Sequence, residues 1–173
     1  MRLEKGFTLI ELLAALLLLG ILITLGIPAF SSTLDRQRID GAVNSLAGGL
    51  AYTRLEAVRR NRVVTIAPVG SDWNGGWRIF IDANDNGIYD AGEELLRQDL
   101  PSKVAFIHAN APVASFVRYN PRGETILLNG AFQAGTFRFC PSQAGTQGRI
   151  MVLNRVGRIR TARETIAEEY CPG

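Results

Sequence analysis

One long apolar segment near the N-terminus constrains this chain more than any other feature. In residues 7–28 the only charged side chain is Glu11, and Arg2 and Lys5 precede the segment. At about 1.5 Å per residue, a helix of this length reaches roughly 30 Å, the thickness of the hydrocarbon core of a bilayer. A cleavable secretory signal has a shorter apolar region that ends in small residues, and this run has no such end. The sequence therefore predicts a membrane-spanning helix over residues 7–28.

The start of this segment carries a recognisable motif. Its residues, GFTLIE at positions 6–11, resemble the processing signal of type IV pilins and of the pseudopilins of type II secretion. In that family a prepilin peptidase cuts after the glycine and methylates the new N-terminal residue. The resemblance implies a leader of residues 1–6, cleavage after Gly6 and a mature chain that begins at Phe7. It also implies a single-pass protein of the inner membrane, with its head in the periplasm and later in a pilus or pseudopilus.

Glu11 is the one ionisable residue inside the apolar segment. A charge at the middle of a bilayer costs about 2.5–3.5 kcal/mol, so such residues usually have a function. The resemblance implies that Glu11 pairs with the N-terminal amine of a neighbouring pilin during assembly. The alternative is a plain membrane anchor in which Glu11 reaches the lipid headgroups.

The rest of the chain predicts one α+β domain of the type IV pilin kind. Residues 29–61 have apolar positions at helical spacing, with Leu46, Leu50 and Val58 expected to pack on a globular head and several arginines expected in solvent: Arg36, Arg38, Arg54, Arg59 and Arg60. Residues 62–173 predict a β-rich head with strands at 63–69, 77–81, 95–100, 104–107, 116–119, 125–128, 136–139, 150–153 and 158–161. The predicted fold is a long N-terminal helix, first membrane-spanning and then amphipathic, packed on an antiparallel β-sheet head. The end of the helix, residues 51–61, is similar to the GspH/FimT family of minor pilins and pseudopilins.

Composition limits the chemistry of the head. Its two cysteines, Cys140 and Cys171, suit a disulfide on the oxidising side of the membrane, with two free thiols as the alternative. The single histidine, His108, cannot form a histidine cluster, and a structural role is expected for it. Trp73 and Trp77 are expected to anchor the core around a hairpin turn. The composition therefore favours a binding protein without catalytic activity of its own.

Residues 82–93 match the spacing of a calcium-binding loop. The oxygen ligands would come from six positions: Asp82, Asn84, Asn86, the carbonyl of Ile88, Asp90 and Glu93. However, the flanks read as strands, whereas an EF-hand needs helices. The alternative is a turn without metal or any other cofactor, shaped by side chains that bond to the backbone.

An arginine-rich hairpin is predicted near the C-terminus. Residues 148–163 contain five arginines and no acid: Arg149, Arg155, Arg158, Arg160 and Arg163. Alternation along a strand places Arg158 and Arg160 on one face and Ile159 on the other. The guanidinium group is planar and always charged, which suits the recognition of phosphate. These arginines are therefore candidate DNA contacts, with a solvated strand edge or a subunit contact as the alternative.

The same residues sharpen the resemblance. GRIR at positions 157–160 matches the G-R-x-R motif of FimT-type minor pilins, some of which bind DNA during natural transformation. The resemblance implies a minor pilin that is assembled into a type IV pilus or initiates one, with prepilin peptidase, other major and minor pilins and DNA as its partners. The alternatives are a pseudopilin of type II secretion and a purely structural minor pilin.

Overall fold

The computed structural model describes residues 8–100, 105–143 and 145–171, apart from the side chains of residues 23–32. The chain divides into two compact units, Met1–Asp35 and Arg36–Gly173. The predicted leader of residues 1–6 and the residue after it lie outside the described residues. The second unit contains both sheets and the hydrophobic core of the described residues.

The long helix α1 runs over Leu9–Arg60. A capping box starts it, since Glu11 accepts hydrogen bonds from the Thr8 amide at 2.8 Å and from the Thr8 hydroxyl at 2.9 Å, and the Glu11 amide donates back to that hydroxyl. Asn61, with φ at 52°, ends the helix in the left-handed conformation. Within the residues described here, no helix combines the length and the hydropathy that crossing a membrane requires.

The second half of α1 supplies one side of the core. Leu46 and Leu50 are fully buried there, as predicted, together with Ile39, Val43 and Ala57. The prediction for Val58 was wrong, since its side chain is 51% exposed. The buried positions are three, four or seven residues apart and form one face of the helix, which includes Ala57. Val58, one residue further on, lies outside this face.

Two antiparallel sheets form the head, which confirms the predicted α+β fold. The first has the strand order β3-β2-β1-β5, and the second β4-β6-β7-β8. Their strands are β1 (Val64–Pro68), β2 (Trp77–Ile81), β3 (Leu95–Asp99), β4 (Ile107–Ala109), β5 (Val117–Tyr119), β6 (Gly135–Phe139), β7 (Gln147–Leu153) and β8 (Ile159–Thr165). A short helix, α2 (Ala111–Ala114), and two 3-10 turns, Trp73–Gly75 and Glu168–Tyr170, complete the described chain.

Several predicted strands differ from the observed ones. The strand predicted at 150–153 begins at Gln147, and the one predicted at 158–161 continues to Thr165. Residues 125–128 form only isolated bridges, Tyr119 with Thr125 and Ile126 with Phe132, because a tight turn at residues 127–130 folds this segment back on itself. Of the strand predicted at 104–107, residue 104 lies outside the described residues, and β4 begins at Ile107, where pairing with β6 starts.

The core joins α1 to both sheets around aromatic side chains. Trp73 and Trp77 are each 1% exposed, which agrees with their predicted role as core anchors. The Trp73 ring meets Phe137 edge-on at 5.2 Å, and its Nε1 donates to the Val113 carbonyl at 2.9 Å. Both indole groups therefore report on the folding of the head.

The predicted disulfide between Cys140 and Cys171 is present. It ties the C-terminal segment to the end of β6, beside the buried Ile166. The two cysteines are 31 positions apart in the sequence. On the chain-entropy model, closing a loop of that length contributes roughly 3–4 kcal/mol to stability.

Candidate functional site

The C-terminal hairpin, formed by β7 and β8, has the geometry that the sequence predicts. A tight turn joins the strands, and the Gly157 amide donates to the Asn154 carbonyl at 2.9 Å. The side chain of Asn154 accepts from the amides of Val156 and Arg158, which fixes the turn locally. The second strand, β8, pairs only with β7 and forms an edge of its sheet.

Arg158 and Arg160 lie on the outward face of this hairpin. Both are exposed, whereas Ile159 between them packs against the hydrophobic core. In the part of the chain that the structure describes, neither guanidinium forms an ion pair. We call these two side chains the outward arginine pair.

Arg149 and Arg163 lie on the opposite face, so the five candidate DNA contacts do not share one face of the hairpin. They face each other across the β7–β8 ladder, and Arg149 has the same parity as the buried Met151. Arg149 Nε donates to Asp40 of α1 at 2.8 Å. Its charge is therefore partly compensated on the side of the sheet that faces the helix.

Arg54 of α1 holds the turn of the hairpin in place. Its Nε donates to the Gly123 carbonyl at 2.9 Å, and its Nη2 donates to the Val156 carbonyl at 3.1 Å. Gly157 packs so closely that a Cβ atom there would lie 2.3 Å from the Gly123 carbonyl oxygen. The expectation of a solvated Arg54 was therefore wrong. Arg155 projects from the exposed tip of the same turn.

The loop at residues 82–93 is closed by its own side chains. Both oxygens of Asp82 accept backbone amides, from Asn86 and Gly87 at 3.0 Å each. The Glu93 carboxylate accepts from the Ala83 and Asp90 amides. The first and last candidate ligands are thus engaged within the loop.

Asparagine side chains complete this arrangement. The Nδ2 groups of Asn84 and Asn86 donate to one oxygen of Asp90 at 2.9 and 2.6 Å, and these bonds lower the pKa of Asp90. The Asn86 oxygen accepts from the Ile88 amide. In the described ranges, no group of three acidic, histidine or cysteine side chains is placed to hold a metal ion. These contacts favour the alternative in which the loop is shaped without calcium.

A buried arginine stands behind the loop. Arg118 of β5 is 2% exposed at its side chain, and its Nε lies 2.9 Å from the fully buried Oδ2 of Asp82. The Nε–H group is not aligned for a hydrogen bond, so this contact is an ion pair only. Arg118 Nη2 pairs with a second carboxylate, the exposed Asp85. A fixed cation therefore already faces the first candidate calcium ligand. The contacts of Arg118 and Arg54 could not be predicted from the sequence because their partners are distant in it.

Calcium addition is expected to leave the protein unchanged. Because the loop oxygens already accept hydrogen bonds and Arg118 supplies a positive charge, calorimetric titration of the full chain should give no saturable heat. The melting temperature should match that of a magnesium control of equal ionic strength. If the loop did bind calcium, a free calcium concentration of 100 times the Kd would raise the free energy of unfolding by about 2.7 kcal/mol. Such a rise, seen with calcium but not with magnesium, would contradict the metal-free interpretation.

His108 has a structural setting, as expected. It lies in β4, half-buried, with its ring 5.1 Å from that of Tyr170. The guanidinium of Arg138 stacks on the Tyr170 ring, 4.1 Å from the ring centroid. In the described part of the chain, the buried Nδ1 of His108 has no hydrogen-bond partner.

The fold and the N-terminal motif define a protein of the type IV pilin class. The prokaryotic N-terminal methylation motif matches residues 1–27, and the family described as type II transport protein GspH matches residues 42–157. Because the second match covers more than half of the chain, the chain belongs to the GspH family. It is a minor type IV pilin or a pseudopilin.

Similar proteins agree with this placement. The pilin-like protein PilA1 of Thermus thermophilus is 43% identical over 92 residues, which are 53% of this chain and 57% of that protein. The type IV major fimbrial protein FimA of Dichelobacter nodosus is 28% identical over 143 residues, which are 77% of this chain and 87% of that protein. A crystal structure of the type IV minor pilin FimU of Pseudomonas aeruginosa has a TM-score of 0.56 at 23% identity, covering 72% of this chain and 88% of FimU. At this identity, the FimU structure supports the fold alone.

Proposed function

We propose that the chain is a minor subunit of a type IV pilus that binds DNA through the outward arginine pair. Residues 1–6 are a leader that prepilin peptidase removes, residues 7–28 anchor the precursor in the inner membrane, and residues 62–173 form the periplasmic head. The methylation motif supports the processing step. Where they are described, the large apolar side chains of residues 9–22 are between 48% and 75% exposed, which suits packing against neighbouring pilins. The subunit acts by assembly and binding, without catalysis of its own.

Glu11 is proposed to exchange one partner for another. In the uncleaved chain it caps its own helix through Thr8. After cleavage, the amine of Phe7 in a neighbouring subunit offers a charged donor in an apolar environment, where an ion pair is stronger than in water. The exchange would couple processing to assembly.

Processing can be read directly from the mass of the protein. After coexpression with a prepilin peptidase, the mature chain is expected to begin at Phe7 and to carry one added methyl group. Gly6→Leu should leave the precursor uncut, whereas Gly20→Leu, a matched change inside the helix where nothing lies within 4 Å of an added Cβ, should be processed normally. An intact leader on the wild-type chain would contradict this part of the proposal.

The observation that supports DNA binding is the setting of Arg158 and Arg160. They are exposed on one face, lack acidic partners among the described residues and belong to a hairpin that Arg54 fixes to α1. Because the guanidinium group is planar, an arginine loses less side-chain entropy for each hydrogen bond that it forms to a phosphate. Contacts of this kind are independent of base sequence.

The test is duplex DNA binding by the full chain in a non-ionic detergent. Arg158→Ala with Arg160→Ala is expected to weaken binding at least tenfold at low salt without unfolding the head. Arg38→Ala with Arg62→Ala removes the same charge from two other exposed positions and should change binding less than threefold. Equal losses of DNA affinity in both double variants would mean that binding depends on the net charge of the protein and not on the position of the arginines. Wild-type protein that fails to bind at low salt would leave a structural minor pilin or a pseudopilin as the remaining function.

A further inference from the structure

A second feature beside the hairpin points to the form of DNA that is bound. A surface groove of about 280 Å³ lies where residues 122–132 meet the tip of the β7–β8 hairpin. Its lining combines the apolar side chains of Ile126, Phe132 and Val156 with the charged Arg122, Glu124 and Arg155. The groove is distinct from the outward arginine pair but adjoins it through Arg155.

Phe132 lines this groove and contributes little to the hydrophobic core. Its side chain is 65% exposed, although burying a phenylalanine stabilises a fold by about 1.5–3 kcal/mol. Its backbone is nevertheless fixed by the bridge to Ile126 and by a tight turn, in which the Gly130 amide donates to the Leu127 carbonyl at 3.0 Å. The ring is therefore held at the surface by ordered backbone.

The groove is also tied to the hairpin. The Thr125 amide donates to the Arg155 carbonyl at 3.3 Å, and the Thr125 hydroxyl lies 3.0 Å from the Asn154 carbonyl. These bonds place the exposed Arg155 and Phe132 on one groove. The backbone segments that carry the two side chains are thus joined before any ligand arrives.

The charges of the groove favour an anion. Glu124 accepts hydrogen bonds from Asn120 and from Arg122, the latter at 2.8 Å, and these bonds lower the pKa of Glu124. The lining holds two arginines, Arg122 and Arg155, and one carboxylate, so its net charge is positive. Arg155 forms no salt bridge in the described chain, although its charge also acts on Glu124.

We propose that this groove binds single-stranded DNA by stacking one unpaired base on Phe132 while Arg155 holds the adjacent phosphate. An exposed aromatic ring beside an exposed arginine that forms no salt bridge matches the alternation of bases and phosphates along a single strand. A duplex does not offer a base face, because its bases stack on one another. The proposal deepens the DNA-binding function above by naming the strand form, and it rests on that function for its biological context.

Three probes of equal length separate base stacking from phosphate binding: oligothymidine, an abasic oligonucleotide and a duplex. The full chain in non-ionic detergent is expected to bind oligothymidine about 5- to 150-fold more tightly than the abasic strand, the range that one stacked base gives. Phe132→Ala and Phe132→Leu should remove this preference and leave duplex binding unchanged. Leu128→Ala, which removes an apolar side chain 51% exposed outside the groove lining, should retain it.

The outcomes distinguish the two proposals. Equal affinity for oligothymidine and the abasic strand overturns the stacking groove, whatever the duplex does. A Phe132→Ala variant that stays folded but weakens all three probes equally also overturns it. If the variant changes only self-association, measured by sedimentation, the groove is a contact between pilins and the inference is wrong. A preference for oligothymidine that persists in the Arg158→Ala/Arg160→Ala variant supports the groove, and duplex affinity that also stays unchanged in that variant contradicts the role of the outward arginine pair.

Discussion

Replacing Asp82 by asparagine is expected to lower the free energy of unfolding by about 3–5 kcal/mol, the range for breaking one partner of a buried ion pair. The change keeps the shape of the side chain but removes the charge that faces Arg118, whose side chain is 2% exposed. It also weakens the acceptor for Thr65 and for the Gly87 amide. Denaturant unfolding, followed by the fluorescence of Trp73 and Trp77, measures the loss because both rings lie in the core of the head.

Asp85 provides the matched control. It pairs with the same guanidinium, but its side chain is 64% exposed, so Asp85→Asn should cost at most about 1 kcal/mol. Replacing both partners of the buried pair, as Asp82→Asn with Arg118→Met, is expected to be less destabilising than the sum of the single changes. Equal losses of unfolding free energy for Asp82→Asn and Asp85→Asn would show that burial does not determine how much an ion pair with Arg118 contributes to stability.

Gly157→Ala is expected to have the second largest effect on stability, about 3 kcal/mol. The backbone there has φ at 75°, which costs an L-residue about 1–2 kcal/mol. In addition, the new methyl group would lie 2.3 Å from the Gly123 carbonyl oxygen and 2.8 Å from Tyr119 Cε1. Relieving that clash requires the two turns to separate, at the typical overpacking cost of about 1–3 kcal/mol. The glycine of the GRIR motif is therefore required to dock the hairpin.

Gly130→Ala isolates the backbone contribution. Gly130 has nearly the same φ, 80°, but nothing lies within 4 Å of a Cβ built there. The substitution should cost only about 1–2 kcal/mol. Urea unfolding of both variants gives the comparison, and losses of equal size would contradict the close approach of Gly157 to Gly123. Displacement of the turn also predicts weaker DNA binding for Gly157→Ala than for Gly130→Ala.

Patterns within one element allowed correct predictions of its structure. Helical periodicity identified Leu46 and Leu50 as buried, and strand alternation placed Arg158 and Arg160 on the face opposite Ile159. The capping box of Thr8 and Glu11 was also readable, since a threonine three residues before a glutamate is its signature, but it was missed.

Contacts between distant elements were beyond such patterns. The position of Arg149 depends on where β7 begins, and the predicted start at residue 150 left it outside the strand and its face unassigned. Arg118 is an arginine in a buried strand, and its acidic partners lie 33 and 36 positions away. The partners of Arg54 are 69 and 102 positions away. No local periodicity encodes these pairings, because they depend on how the two sheets and the helix pack.

The salt dependence of duplex DNA binding tests the account most directly. Each phosphate contact contributes about −0.9 to the slope of log affinity against log salt, and we expect a wild-type slope of roughly −2 to −4. Arg158→Ala with Arg160→Ala should make the slope shallower by about 2, whereas Arg38→Ala with Arg62→Ala should leave it unchanged. Identical slopes for the wild type and the Arg158→Ala/Arg160→Ala variant, with the head still folded, would contradict the claim that the outward arginine pair contacts DNA.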